Sequence, residues 1–149
     1  MKKANVFAKK PLRKVNPDWF TGPVHMTVLS GTISSKKHDI YHVTFERGAK
    51  TKLHMHDGDQ ILLAIKGRGS LEIFSKKQNK RQDFSIRRTD RISLLPGDMV
   101  FIPHNTLHIH GSTDRKRPFS HIAVNIISGK TYKTTWYESD FAKIAKNII

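Results

Sequence analysis

The sequence has no cysteine, no long apolar run and few acidic residues, and each shortage narrows what the protein can be. A chain without cysteine can form neither a disulfide framework nor a thiolate metal site. No apolar run approaches the roughly 18 residues that a membrane-spanning helix needs, and residues 1–14 lack the apolar core of a signal peptide. We therefore expect a cytoplasmic protein that is neither secreted nor embedded in a membrane.

The shortage of acid leaves a strong positive charge, because 27 lysines and arginines face 12 acidic residues, for a net charge of +15. The basic residues are concentrated in residues 1–18 and 76–91. Such a charge favours anionic partners, including nucleic acid, but no helix-turn-helix, zinc-finger or aromatic RNA-binding pattern accompanies it. We expect these basic residues to lie in solvent outside any pocket, and we expect no nucleic-acid partner.

Short runs rich in β-branched and aromatic residues, separated by turn residues, fill most of the sequence. Candidate strands cover residues 24–29, 41–45, 52–56, 60–65, 70–74, 92–95, 99–102, 107–109, 121–127 and 131–136. Many short strands at this spacing predict a β-sandwich or a closed barrel. The polar and basic residues 75–91 are predicted to form a long hairpin connection.

One helix is predicted, near the C-terminus. Ser139 is a good N-cap, and apolar residues follow it at helical spacing at Phe141, Ile144, Ala145 and Ile148. A chain of 149 residues is long enough for one domain with a sizeable core. We therefore predict a basic N-terminal arm, residues 1–18, followed by a single domain, residues 19–149.

Three histidines and a glutamine are spaced as metal ligands. Strand residues two apart point to the same face, so His54 and His56 present their imidazoles side by side. A turn would bring Gln60 to the start of the next strand, and a later hairpin would supply His108. Imidazole nitrogens and an amide oxygen suit a first-row divalent metal and leave coordination positions open. One divalent ion per chain is predicted; a barrel that keeps the pattern without a metal is the alternative.

These residues and turns resemble the two motifs of the cupin superfamily. The first motif reads Gly48, His54, His56, Gln60 and Gly67, with glutamine in place of the usual acid. The second reads Gly97, Pro103, His104, Asn105 and His108, with asparagine in place of the usual middle glycine. The resemblance implies an all-β fold: a single conserved cupin β-barrel, also described as a double-stranded β-helix or jelly roll, with a short C-terminal helix.

A narrower resemblance covers roughly residues 19 to 140. The segments W-F-T-G at 19–22, V-T-F-E-x-G-A-x-T at 43–51, H-x-H-G at 108–111 and H-I-A at 121–123 are similar to small cupins associated with carboxymuconolactone decarboxylase. That group includes the manganese-containing bacterial hydroxynitrile lyases, which also carry glutamine at the acid position. The resemblance implies manganese, with iron, zinc or nickel as alternatives, and a homodimer or larger homo-oligomer. Leu53 and Ile109 stand where relatives often have tryptophan, so we expect them to reshape the pocket.

A metal-dependent small-molecule enzyme is the function that this site predicts. A neutral Gln60 leaves the full charge on a divalent ion, which favours non-redox Lewis-acid chemistry on a hydroxyl or carbonyl, as in hydroxynitrile lyases or a related carbon–carbon lyase or isomerase. His110 and His121 are candidates for moving a proton, and the resemblance places Tyr41 and Thr51 in the substrate pocket. The alternatives are an iron-dependent oxygenase at the same site and a non-catalytic cupin that senses a ligand or associates with nucleic acid.

Overall fold

The architecture is all-β in a computed structural model that describes residues 1–78, 84–137 and 144–145. The strands are β1 Val24–Val28, β2 His38–Phe45, β3 His54–His56, β4 Gln60–Lys66, β5 Gly69–Gln78, β6 Phe84–Leu94, β7 Met99–Ile102, β8 Leu107–Ser112, β9 Phe119–Ile126, β10 Thr134–Trp136 and β11 Ile144–Ala145. A 3-10 turn, Pro17–Trp19, and a single-turn helix, α1 Ser30–Ile33, are the helical elements of the described ranges. None of the helices described here could cross a membrane.

Two antiparallel sheets form the predicted jelly roll. One has the order β1-β2-β9-β4-β7 and the other β10-β3-β8-β5-β6-β11. The main core contains side chains of both sheets, including Phe45, Leu62 and Phe119 from the first and Leu71 and Leu94 from the second. Alternation along each strand explains this, because every second side chain points into the barrel. The all-β barrel prediction is confirmed.

A second apolar cluster packs on the other side of the six-stranded sheet. Leu53 and Ile109 are fully buried there, together with Phe74 and Leu107. Leu53 immediately precedes a histidine that points inward, and Ile109 lies between two such histidines, so alternation sends both to the opposite face. The expectation that these two residues reshape the pocket is wrong.

The basic segment is a strand pair rather than a loop. β5 and β6 pair from Gly69↔Leu94 to Gln78↔Phe84, with one register shift between Ile73 and Phe74. Most of residues 75–91 therefore belong to strands, and residues 79–83 lie outside the described part. The ladder uses backbone groups, and exposed basic side chains do not prevent it. The prediction of a long connection is therefore wrong for the described residues.

The predicted C-terminal helix is not confirmed. Of its residues the structure describes Ile144 and Ala145, whose backbones pair with β6 opposite Ser85 and Phe84 as strand β11. That extended geometry is incompatible with a helix at these two positions. Ser139, Phe141 and Ile148 lie outside the described residues.

The N-terminal arm lies along the five-stranded sheet. The backbone amide of Arg13 donates to the carbonyl of Met26 on β1 (2.8 Å), and a ring nitrogen of His42 on β2 lies 3.1 Å from the carbonyl of Val6. These contacts hold the arm against β1 and β2. The division into an arm and a domain at residue 18 stays a prediction.

The turn after β4 requires glycine at position 67. Gly67 has a φ of +77°, and an added Cβ would collide with the carbonyl oxygen of Pro118. Gly67→Ala should therefore lower the free energy of unfolding by roughly 2–4 kcal/mol. Gly31→Ala, where an added Cβ meets nothing within 4 Å, should change it by less than about 1 kcal/mol. Urea unfolding measures both; equal stability of the two variants would contradict the turn geometry.

Candidate metal centre

Four histidines from two paired strands meet inside the barrel. β3 places His54 and His56 inward, β8 does the same for His108 and His110, and the register pairs His54 with His108. All four side chains are buried. The ring centroids of His54 and His108 are 4.1 Å apart, those of His54 and His56 4.9 Å, and those of His56 and His108 5.3 Å.

Hydrogen bonds fix how these rings present their nitrogens. Nδ1 of His54 donates to the carbonyl of Lys52 (2.9 Å), and Nδ1 of His108 donates to the carbonyl of Thr106 (2.8 Å). A carbonyl can only accept, so the proton of each neutral ring sits on Nδ1 and the lone pair on Nε2. Nδ1 of His56 lies 2.8 Å from the hydroxyl of Thr134. Each ring is thus held by the nitrogen that a ligand would not use.

Gln60 presents an oxygen from the opposite sheet. Its side-chain amide nitrogen donates to the Oδ1 of Asn125 at 2.8 Å, and Asn125 lies directly across from it on β9. This orientation leaves Oε1 of Gln60 buried without a hydrogen-bond partner in the described chain, as are the Nε2 atoms of His56 and His108. Such orphaned acceptors cost about 1–3 kcal/mol each unless a ligand satisfies them. The residues therefore fit a bound metal ion.

The histidines that lie closest by atomic distance are not the predicted set. The ligand-capable atoms of His54, His108 and His110 all lie within 4.8 Å of one another, with His110 in the place expected for His56. A ring nitrogen of His110 also lies 3.2 Å from one of His121. The structure brings the three predicted histidine ligands together with His110, and Gln60 lines the same cavity as His54 and His56, so a three-histidine cluster suggests a metal site.

Burial keeps this cluster uncharged. Desolvation is the main cause that lowers the pKa of His56 to about 3, of His108 to about 4 and of His121 to about 3. Desolvation followed by the charges of neighbouring histidines holds the pKa values of His54 and His110 well below the ordinary value. Near neutral pH the rings are therefore neutral, as ligation of a metal requires.

A cavity of about 340 Å³ opens next to the cluster. Tyr41 and Thr51, the predicted pocket residues, both line it, as do His110 and His121. Trp136 forms part of its wall and stacks on the ring of His54 with centroids 4.4 Å apart. The cavity is large enough for a small organic molecule.

Thr51 and Tyr41 have different roles in the wall. Thr51 is buried, and its hydroxyl accepts from the backbone amide of His110 at 3.0 Å, so it holds β8 in place. Tyr41 stands on β2, where its hydroxyl accepts a hydrogen bond from the guanidinium of Arg13 at 3.0 Å. Arg13 also lines the cavity, so the expectation that all basic residues lie outside the pocket is wrong at this position.

Sequence reasoning missed Asn125, Thr134 and Arg13. Asn125 follows His121 by four residues on one strand, so alternation could have placed it on the inner face. Thr134 lies opposite His56 in the β10–β3 pair, which requires knowledge of the strand pairing. Arg13 has no local signal, because the path of the arm depends on tertiary contacts.

Comparisons with known proteins agree with this geometry. The family model described as Cupin matches residues 34–138. A cupin-like protein from Thermotoga maritima is 28% identical with a TM-score of 0.63, and the match covers 89% of this chain and 88% of that one. A cupin superfamily protein from Desulfitobacterium hafniense is 18% identical with a TM-score of 0.51, covering 71% and 79%.

Oxalate decarboxylase of Bacillus subtilis, a protein with Mn(II) centres, is 18% identical with a TM-score of 0.54, and the match covers 74% of this chain and 27% of that one. A search of curated proteins found none that matches. The likeness at 18% identity concerns the fold alone. Because the family model spans residues 34–138, more than half of the chain, the chain belongs to the cupin family.

Proposed function

We propose that this cupin is a metal-dependent small-molecule enzyme that uses non-redox Lewis-acid chemistry of the hydroxynitrile-lyase kind. The observation that carries the proposal is the set of buried, partnerless acceptor atoms on His56, His108 and Gln60 beside a cavity of about 340 Å³. His54, His56, Gln60 and His108 would hold one divalent ion, manganese in first place. When bound, such an ion polarises a substrate hydroxyl or carbonyl oxygen.

The neutrality of the ligand set supports this chemistry over electron transfer. Of the residues that the structure describes, Glu72 is the buried carboxylate, and it binds Lys50 (2.8 Å) and Arg88 (2.9 Å) instead of the cluster. The buried carboxylate is therefore held by two basic side chains and does not reduce the charge at the histidines. An undiminished positive charge favours Lewis acidity and disfavours loss of an electron.

His110 and His121 are proposed to handle the proton. Their ring nitrogens lie 3.2 Å apart, so one ring donates to the other and the pair shares a proton. Both line the cavity, and the ring of Phe45 packs against each of them, at 5.6 and 5.5 Å between centroids. His110 lies nearer the cluster and would exchange the proton with substrate, while His121 fixes its tautomer.

A homodimer or larger homo-oligomer is proposed as the working form. The support is an exposed apolar strip on the edge strand β7, where Met99 is 68% exposed and Phe101 is 58% exposed. Contiguous apolar residues on a surface indicate an interface. Sedimentation of the purified protein measures the assembly.

Gln60→Glu is the variant that tests the chemistry. The wild-type protein should contain close to one ion per chain by plasma mass spectrometry, release cyanide from an aromatic cyanohydrin and consume no oxygen with it. Gln60→Glu should keep the metal but lose at least about tenfold in rate, because the added negative charge weakens the Lewis acid.

Lys130→Gln is the matched control, since it changes the net charge by the same amount at an exposed position. It should leave the rate unchanged. Wild-type protein without metal, or an unchanged rate in Gln60→Glu, would contradict the proposal. Oxygen uptake would assign the site to an oxygenase instead.

A further inference from the structure

Arg13 and Tyr41 form a pair of hydrogen-bond donors at the cavity. Arg13 is anchored through its backbone to β1, and its guanidinium lies 5.4 Å from the centre of the Tyr41 ring. One guanidinium nitrogen donates to the Tyr41 hydroxyl at 3.0 Å. No carboxylate of the described residues forms an ion pair with Arg13. Most of its donors therefore remain available to a ligand.

The Tyr41 hydroxyl is a second available donor. It accepts from Arg13, and no acceptor for its own proton lies within hydrogen-bond distance in the part of the chain that the structure describes. Burial, followed by the charge of Asp39, raises the pKa of this hydroxyl, so it keeps its proton. A hydroxyl and a guanidinium side by side match the two oxygens of a carboxylate.

The charges lining the cavity also favour an anion. Apart from its histidines, Arg13 is the basic residue and Asp39 the carboxylate among its lining residues. Arg13 at one end and a divalent ion at the other would leave a positive excess. Asp39, which also faces Tyr41, would oppose a ligand with several negative charges. This balance of charge in the cavity therefore fits a ligand with one carboxylate.

The strand order sets the distance between Tyr41 and Gln60. β9 separates β2, which carries Tyr41, from β4, which carries Gln60, so the two backbones are about 10 Å apart. Side chains from both strands point inward and narrow this gap. A short-chain acid whose carboxylate and hydroxyl are several atoms apart would span it.

We propose that the substrate is a short-chain hydroxy- or oxo-monocarboxylate, whose carboxylate binds Arg13 and Tyr41 while its hydroxyl or carbonyl oxygen faces the histidine cluster. This inference rests on the proposed function, because it names the natural substrate class of the same site, for which the aromatic cyanohydrin serves only as an assay compound. It assigns the N-terminal arm a part in substrate selection.

Calorimetric titration of manganese-loaded protein with 4-hydroxybutyrate and its neutral amide tests the inference. Arg13→Gln should weaken binding of the acid about tenfold and change binding of the amide less than about twofold. Tyr41→Phe should weaken binding of the acid about threefold. Arg87→Gln, which removes an exposed arginine on β6, should bind both compounds like the wild type.

The metal content of every sample distinguishes failure of the carboxylate site from failure of the proposed function. The carboxylate site is wrong if Arg13→Gln keeps its metal and binds the acid as tightly as the wild type. It is also wrong if the variant binds the acid and the amide more weakly by the same factor. If the wild type holds no metal, the proposed function fails. The same titration of chelator-treated protein still tests Arg13, whose effect on the acid should persist.

Discussion

Replacing His108 with alanine should leave the protein with less than about a tenth of the metal bound by the wild-type chain. His108 is completely buried, its Nε2 has no hydrogen-bond partner in the described residues, and its ring lies against that of His54. Loss of a residue that merely orients a ligand already costs about 10–100-fold in metal affinity. Loss of a ligand should therefore cost more than about 100-fold, measured by plasma mass spectrometry after dialysis.

A series of histidine variants identifies the ligands themselves. His54→Ala should behave like His108→Ala, because both belong to the predicted set and to the closest group of histidines. His56→Ala should lose the metal and His110→Ala should retain it if the predicted set is right; the opposite result would assign His110 as the ligand. His104→Ala is the control, because this exposed ring hydrogen-bonds to Asp59 away from the cluster. Full occupancy in His108→Ala would refute the site.

Metal-free protein should lose stability steeply as the pH falls below about 6.5. His56, His108 and His121 have pKa values lowered to about 3, 4 and 3 in the folded state, from 6.5. Between these values the unfolded chain binds more protons than the folded chain, so acid favours unfolding. Each such histidine removes up to about 1.4 kcal/mol per pH unit, so three remove up to about 4 kcal/mol per unit.

Folded proteins have about 5–15 kcal/mol in reserve, and the three histidines remove up to about 6 kcal/mol between pH 6.5 and pH 5, so we expect a metal-free form of modest stability to unfold near pH 5. Carboxylates titrate below this pH window, so the change in stability within it reports on the histidines. Urea unfolding at several pH values gives the slope, and His121→Asn should reduce it by about one proton. Arg87→Gln, which changes an exposed residue on β6, should not alter the slope. A flat profile between pH 6.5 and 5 would show that the rings are protonated or accessible in the folded state.

Much of the site follows from strand periodicity alone. His54 and His56 had to share a face once β3 was predicted, and His108 and His110 had to share one on β8. The spacing of Gly48, His54, His56, Gln60 and Gly67 resembles the first cupin motif, and that resemblance implied the barrel. These predictions needed no tertiary information.

The structural features that could not be predicted depend on pairing between distant segments. Arg13 reaches the cavity because the arm pairs with Met26. No periodic pattern in the sequence predicts this pairing. The basic stretch of β5 and β6 lacks the apolar alternation that marks a strand, so its pairing was missed. Leu53 and Ile109 were misassigned because they were compared with relatives instead of being placed by alternation relative to His54 and His108.

Both tryptophans of the protein stand at the cavity: Trp136 stacks on His54 at 4.4 Å, and Trp19 lies parallel to Trp136 at 5.0 Å and 4°. Tryptophan fluorescence of this chain therefore reports on the wall of the cavity. A paramagnetic ion entering the cluster should quench it, which makes metal loading visible in real time without a label. The parallel indoles should also give a paired band in near-ultraviolet circular dichroism, whose loss would mark separation of Trp19 from Trp136.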